Sequence, residues 1–355
     1  NINAELKKLL KSDKKSEDAI ENLIEKGVDV NQKEGKQISI LGYALKYKAS
    51  DNIIQLLIQK GADVNAIHND GQTLLMLALF YKASDNIIRL FLQKGANVNA
   101  IHNDGGSILM IALLSKVSYD IIKLFIQKRV NINRIDNDNL QTILMYALQV
   151  KASNNIIKLL IQKGANVNAI VNIDGQTILM FALQFKASNN IIQLLIKKGA
   201  NVNVIDNDGK TILMNALESK YSNDIIQLLI QKNANVNAID LNGQTILMNA
   251  LEATNSDKII KLLIENKANV NAIDEDSRTI LQIALQFRHS DNIIRLIIEN
   301  GANVNAIDLN DETILLNALI FKTSYDIIQL LIKKDANVNW INKNGKTILN
   351  LAFEF

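Results

Sequence analysis

Apolar residues recur along this chain in pairs of short blocks that are separated by polar turns. In the block T-I-L-M-F-A-L, which begins at Thr177, the residues Ile178, Leu179, Ala182 and Leu183 have the i, i+1, i+4, i+5 spacing of a helix with one buried stripe. A second apolar block, I-I-x-L-L-I, follows after a polar turn. The pattern predicts two short helices joined by a turn.

This helix pair repeats along the whole chain. Residues equivalent to Thr177, here called opening residues, recur every 34 residues, or every 35 in two intervals. Both longer intervals fall in polar turn sequence, at residues 135–141 and 170–176, where a surface turn can absorb one extra residue. The opening residues are Ser39, Thr73, Ser107, Thr142, Thr177, Thr211, Thr245, Thr279, Thr313 and Thr347.

The second helix of each pair has clear start and stop signals. A serine such as Ser222 stands eleven residues after each opening residue, and an acidic residue such as Asp224 often follows, so we expect an N-cap and a favourable helix dipole interaction. The helix ends at a residue predicted to be left-handed, which is most cheaply glycine. That position is held by Gly61, Gly95, Gly164, Gly199 and Gly301, and by Asn233, Arg129, Lys267 and Asp335. At Arg129, Lys267 and Asp335 the left-handed backbone should each time lower the free energy of unfolding by up to about 1 kcal/mol.

The repeats predict a single array over residues 1–355. Residues 1–38 form an N-terminal capping repeat whose first helix, A-E-L-K-K-L-L-K, presents Lys7, Lys8 and Lys11 as a polar outer face. Residues 39–346 hold nine repeats, and residues 347–355 begin a repeat whose second helix is missing. We therefore expect that the array was cut here or continues in a longer protein.

The composition limits the kinds of partner and of chemical site that we expect in this chain. The chain has 39 Lys and Arg against 36 Asp and Glu, a net charge of +3, which argues against nucleic acid or membrane as partner. It has no cysteine, which fits an intracellular, cytoplasmic protein. No nucleophile accompanies His68, His102 or His289, so we expect no catalytic residues, no metal, no cofactor and no enzyme activity.

The segments G-A-N-V-N-A, D-x-D-G-Q-T-I-L-M-x-A-L and I-I-x-L-L-I resemble the ankyrin repeat. The resemblance covers essentially the whole chain. It implies an all-α ankyrin-repeat solenoid of stacked antiparallel helix pairs with projecting β-turn fingers. It also implies a monomeric, non-catalytic scaffold that binds another protein. Three family residues are replaced: proline by Ile or Leu, histidine by six methionines, and the glycine between the helices by Lys or Arg.

In ankyrin proteins the partner usually lies on a concave face formed by the fingers and the end of the first helix. The positions seven and eight residues after the opening residue are the most variable within this chain. Aromatic residues there could anchor a partner segment at two places around an acidic middle, or they could pack between neighbouring first helices. The candidate partner-binding residues are Tyr47, Phe80, Tyr81, Phe185, Glu218, Glu252, Phe287 and Phe321.

A row of basic residues offers a second candidate surface. The first helices are expected to end near Lys48, Lys82, Lys116, Lys151, Lys186, Lys220, Arg288 and Lys322. These cations could form a ridge for acidic partners, but the helix dipole alone would favour them, and we prefer that interpretation.

The alternative function is that of a recognition region in a larger effector or enzyme whose catalytic domain lies outside this chain. The richness in Ile, Asn and Lys, with no proline, is also found in ankyrin arrays that microbes secrete into host cells.

Overall fold

The computed structural model describes residues 2–12, 16–32, 38–68, 71–137, 140–170, 175–253 and 255–353. The chain divides into two compact units, Asn1–Ala169 and Ile170–Phe355. The secondary structure in the described residues consists of helices and isolated β-bridges, so the all-α prediction is confirmed. None of these helices is long and apolar enough to cross a membrane.

The first unit contains five helix pairs within its described residues. Their bounds are α1 (Ile2–Lys11), α2 (Glu17–Glu25), α3 (Ile40–Lys46), α4 (Asp51–Gln59), α5 (Leu74–Phe80), α6 (Asp85–Gln93), α7 (Ile108–Leu114), α8 (Tyr119–Gln127), α9 (Ile143–Gln149) and α10 (Asn154–Gln162).

The second unit contains five further pairs and one last short helix within its described residues. Their bounds are α11 (Ile178–Gln184), α12 (Asn189–Lys197), α13 (Ile212–Glu218), α14 (Asn223–Gln231), α15 (Ile246–Glu252), α16 (Asp257–Glu265), α17 (Ile280–Gln286), α18 (Asp291–Glu299), α19 (Ile314–Ile320), α20 (Tyr325–Lys333) and α21 (Ile348–Ala352).

Within each unit the pairs stack in sequence order. The first helix of one repeat packs against the first helix of the next, as α13 does against α15, and the second helices stack likewise, as α14 does against α16. The predicted apolar stripe forms the core: Ile178, Leu179, Ala182 and Leu183 are all buried. Each repeat is therefore stabilised mainly by its neighbours.

Both helices of a repeat are capped at their start. The hydroxyl of Thr211 accepts a hydrogen bond from the amide of Met214 at 3.2 Å. The predicted serine caps accept the equivalent bond in most second helices, but Ser188, Ser222 and Ser256 do not. Ser222 and Ser256 instead bind the preceding repeat. Ser222 accepts a hydrogen bond from Asn189 at 2.9 Å, and Ser256 donates one to Asn223 at 3.3 Å.

The left-handed residues lie where they were predicted after the second helix, including Arg129 at φ 60°, Lys267 at φ 69° and Asp335 at φ 64°. A second set was not predicted. The basic row lies beyond the first helices: α11 ends at Gln184, and Lys186, two residues later, is left-handed at φ 54°. Lys186 directly follows the C-cap residue Phe185, so it remains next to the negative end of the helix dipole.

Short fingers connect the repeats. In nine of them, from Ile67 onward, an isoleucine pairs with the opening residue through an isolated antiparallel bridge, such as Ile205 with Thr211. The bridge partners are seven residues apart in Ile135–Thr142 and Ile170–Thr177 but six elsewhere, which places the two extra residues in the fingers as predicted. Residues 138–139 and 171–174, within those two fingers, lie outside the described part of the chain.

Two sets of hydrogen bonds link successive repeats. The second asparagine of A-N-V-N binds the backbone of the next repeat: Asn203 donates to the carbonyl of Asn233 at 2.9 Å and accepts from the amide of Asn235 at 2.9 Å. The first residue of the second helix can also bind the next capping serine, as Asp257 does with Ser290 at 2.5 Å. Neither set was predicted, because the sequence indicated only turn formation and a dipole interaction.

The first helix pair departs from one prediction. Lys8 and Lys11 are exposed, but Lys7 is buried, so it does not belong to a polar outer face. The ammonium groups of Lys7 and Lys11 lie 5.6 and 5.0 Å from the centre of the Tyr43 ring, where their charge interacts favourably with the aromatic face.

Candidate partner-binding face

Finger residues and the ends of the first helices lie on one face of the second unit. Lys210, which precedes the opening residue Thr211, places its Nζ 2.8 Å from Oε1 of Glu218, the last residue of α13. Two repeats further on, Arg278 donates hydrogen bonds to Gln286 at the end of α17, at 3.1 Å, and to Glu252 at the end of α15, at 3.0 Å. The two groups of residues expected to contact a partner are therefore neighbours here.

None of the eight candidate residues is buried. Phe80, Glu218 and Phe287 are exposed, with Phe80 retaining 69% of its surface, whereas Tyr47, Tyr81, Phe185, Glu252 and Phe321 are partly buried. Three of the partly buried rings contact aromatic residues of their own repeat. Tyr47 stacks on Tyr43 at 6.0 Å, Tyr81 meets Phe80 edge-on at 5.1 Å, and Phe185 lies 4.6 Å from Phe181.

The two acidic candidates are paired within the chain. The hydrogen bond from Lys210 to Glu218 raises the pKa of that lysine. Burial alone would lower the pKa of Arg278, but Asp274 and Glu252 raise it overall. Since both carboxylates are already neutralised by a finger cation, the acidic middle of the face offers a partner less free charge than the sequence suggested.

A hollow bordered by exposed apolar side chains lies in the first unit. Phe80 and Leu114, the last residues of α5 and α7, retain 69% and 58% of their surface and border a hollow of about 380 Å³. Met76 and Ile111 form apolar walls, and the finger residues His102 and Asp104 border it on another side. We call this hollow the apolar groove. Leu114 was missed as a candidate because only aromatic and acidic residues were selected from these positions, although it occupies the same repeat position as Phe80.

An acidic hollow adjoins the apolar groove. It measures about 150 Å³ and shares Asp104, Ile111 and Leu114 with the groove, while Asp136 and Tyr146 form its far side. Burial would raise the pKa of Asp104, but the amide of Gly106 and the side chain of His102 lower it overall, so the carboxylate is charged at neutral pH. The pKa of Tyr146 is raised by burial and by the charges of Asp136 and Asp104.

The second unit has a hollow at the same repeat positions, but it is polar. Gln184 stands where the groove has Phe80, and Asn215 replaces Ile111. Glu218 holds the repeat position of Leu114 at the end of α13. Both hollows keep a methionine wall and an acidic finger residue, Asp208 in the second unit. The two hollows, each formed by two adjacent repeats with the same helices, therefore differ in how apolar their lining is.

Finger isoleucines form a further exposed column that sequence reasoning missed. The same finger position is isoleucine in nine repeats, and all nine are exposed: Ile67, Ile101, Ile135, Ile170, Ile205, Ile239, Ile273, Ile307 and Ile341. A β-branched side chain suits the bridge that each of them makes with its opening residue. Their recurrence beside a bridge could have been noticed in the sequence, where each precedes Asp, His, Val or Asn.

Comparison with known families identifies the repeat. Models described as ankyrin repeats match residues 10–102, 79–171, 150–240, 220–308 and 290–332. The chain belongs to the ankyrin-repeat family. Ankyrin repeats are generally protein–protein interaction modules, and the solenoid of helix pairs in each unit agrees with this family. No curated protein matches the chain significantly.

The departures from the ankyrin pattern have structural explanations. The six methionines at the family's histidine position are buried in the core, which confirms their predicted packing role. In the repeat beginning at Thr279 that position is Gln282, whose Oε1 accepts from the Thr279 amide at 2.9 Å and whose Nε2 donates to Asp308 at 3.1 Å. Gln282 thus makes a polar link between repeats that methionine cannot make.

Proposed function

We propose that this ankyrin array is a non-catalytic interaction module that binds a partner protein through the face formed by the fingers and the ends of the first helices. The observation that carries this proposal is the apolar groove with its exposed Phe80 and Leu114. Exposed apolar clusters of this kind are typical of interaction sites, and a partly enclosed aromatic residue is a frequent energetic centre of an interface.

Stability of the repeat does not explain the exposure of these side chains. Gln184 and Glu218 occupy the positions of Phe80 and Leu114 in two other repeats, and those repeats have the same helices and turns. An exposed phenylalanine contributes little to the free energy of folding. Its presence at the end of α5 is therefore better explained by contact with another molecule.

The surroundings of the histidines support a non-catalytic role. His102 contacts the carboxylate of Asp104 at 2.7 Å, and Nε2 of His289 lies 2.9 Å from the carbonyl oxygen of Leu251. Among the described residues, no group of three or more His, Asp or Glu side chains could hold a metal ion. These contacts hold side chains within the array and do not assemble a nucleophile with a base.

The remaining aromatic candidates share one repeat position, one residue after that of Phe80. Tyr47 and Tyr81 hold it in the first unit, and Phe185, Phe287 and Phe321 hold it in the second. Partial exposure of these rings leaves an edge available to a partner. We assign them a supporting role, because each retains less exposed surface than Phe80.

The test is an affinity capture with the full chain as bait, using lysate of the cells that produce it. The groove variant carries Phe80→Gln and Leu114→Gln, and the matched control carries Gln93→Ala and Gln127→Ala, at exposed positions of the second helices of the same two repeats. We expect proteins that the wild type and the control retain but the groove variant loses. Equal recovery by all three baits would contradict the proposal, provided that circular dichroism shows the same helix content.

A further inference from the structure

The apolar groove and the acidic hollow meet along a shared wall. Asp104, Ile111 and Leu114 border both, so a ligand that covers Leu114 lies next to the carboxylate of Asp104. The side chain of Asp104 keeps 56% of its surface exposed, although it contacts His102. A partner can therefore reach an apolar surface and a negative charge over a short distance.

The charges around the acidic hollow have one sign. Its lining includes Asp104 and Asp136, with no Lys or Arg among the described residues that border it. Lys82 borders the apolar groove near Phe80 and does not border the acidic hollow. An anionic segment placed there would meet the exposed carboxylate of Asp104, whereas a cationic side chain would be attracted by it.

We propose that this surface recognises an extended segment of a partner protein in which a large apolar side chain is followed within two residues by Lys or Arg. The apolar side chain packs between Phe80 and Leu114, and the cation lies against Asp104. In an extended segment, side chains two positions apart lie on the same face roughly 7 Å from each other, which suits two adjoining hollows. This inference rests on the proposed function and specifies the partner's chemistry.

The first test is a selection from random 12-residue peptides displayed on phage, with the full chain immobilised and the Phe80→Gln variant used for counter-selection. We expect the enriched peptides to share a large apolar residue followed closely by Lys or Arg. Enrichment of groove-dependent peptides with acidic residues at that place would overturn this inference and leave the proposed function standing. Failure to enrich any peptide that depends on Phe80 would contradict both.

The second test measures the affinity of the most enriched peptide by fluorescence anisotropy. Phe80→Gln should weaken binding about 30-fold, as expected for the central residue of an interface. Asp104→Asn, which keeps the oxygen that accepts from the Gly106 amide, should weaken it about two- to fivefold, with a smaller dependence on salt. Asp208→Asn, the matched change in the second unit, should have no effect. Equal affinity of the wild type and Asp104→Asn would overturn the assignment of the cation.

Another occupant would give a different result. If the groove receives a second copy of this chain, sedimentation equilibrium will show concentration-dependent association that Phe80→Gln abolishes, and the proposal would then be wrong. We expect sedimentation equilibrium to show a single monomeric species for the wild type and for Phe80→Gln.

Discussion

Nδ2 of Asn237 donates a hydrogen bond to the carbonyl oxygen of Lys267 in the next repeat, at 3.0 Å. Oδ1 of the same asparagine accepts from the amide of Asn269 at 2.8 Å. Lys267 is left-handed, at φ 69°, and lies in the turn that follows α16. One side chain therefore fixes both sides of a turn that would be cheaper with glycine.

Replacing this asparagine should weaken the connection between two repeats. Asn237→Ala removes both bonds, and we expect the free energy of unfolding to fall by about 1–2 kcal/mol. Urea denaturation followed by circular dichroism measures the change. Gln231→Ala, at an exposed position near the end of α14, is the control and should change stability by less than about 0.5 kcal/mol. Equal midpoints for the two variants would refute a stabilising role for Asn237.

The left-handed lysines between the two helices of a repeat predict a gain in stability on substitution by glycine. Lys186 has φ 54°, a conformation that costs an L-residue roughly 1 kcal/mol, while glycine adopts it freely. Glycine also has more freedom in the unfolded chain, which offsets part of the gain. We expect Lys186→Gly to raise the thermal midpoint slightly.

Lys197→Gly provides the matched control for this prediction. Lys197 is also exposed, but it lies in the last turn of α12, where the backbone is helical. Glycine there should lower stability by about 1 kcal/mol. A decrease for both variants, measured by differential scanning calorimetry, would show that the left-handed turn at Lys186 carries no strain.

The sequence predicted the repeat and the residues at which its helices begin and end, because these depend on local chemistry. Apolar spacing located the helices, Thr177 and its equivalents marked their starts, and the left-handed position after the second helix was identified even at Lys267. The links between repeats were not predicted, because a turn-forming asparagine has the same sequence signature whether or not its side chain reaches a neighbour. The groove was half predicted: Phe80 was selected as an aromatic residue, whereas the exposure of Leu114 depends on which face of α7 the next repeat covers.

Tyr221 should make stability depend on pH in the alkaline range. Its hydroxyl lies 3.2 Å from the carbonyl oxygens of both Leu183 and Ala187 in the preceding repeat, and burial raises the pKa of Tyr221 to about 12. His289 makes the equivalent contact with Leu251 two repeats later. An ionised phenolate next to carbonyl oxygens is unfavourable, so the folded state retains the proton at a pH at which the unfolded chain has lost it.

The direction of the effect follows from this difference. The pKa of an unfolded tyrosine is about 10, so the stabilising contribution is complete below that pH and is lost as pH rises to about 12. We expect the wild type to lose more free energy of unfolding over this interval than Tyr221→Phe, as measured by urea denaturation at a series of pH values. Tyr325→Phe, at an exposed position, should follow the wild type. Parallel curves for the wild type and Tyr221→Phe would contradict the assignment.

Leu79 and Phe80 are neighbours in α5, but Leu79 belongs to the core and Phe80 to the candidate binding surface. Leu79 is completely buried, and Leu79→Ala should lower the free energy of unfolding by about 2–5 kcal/mol, because it removes core contacts and leaves a cavity. Phe80→Gln should change it by less than about 0.5 kcal/mol, since the ring lies mostly in solvent. Chemical denaturation of both variants makes the comparison. A large loss of stability in Phe80→Gln would show that the phenylalanine supports the fold, and it would remove the reason for assigning the apolar groove to a partner.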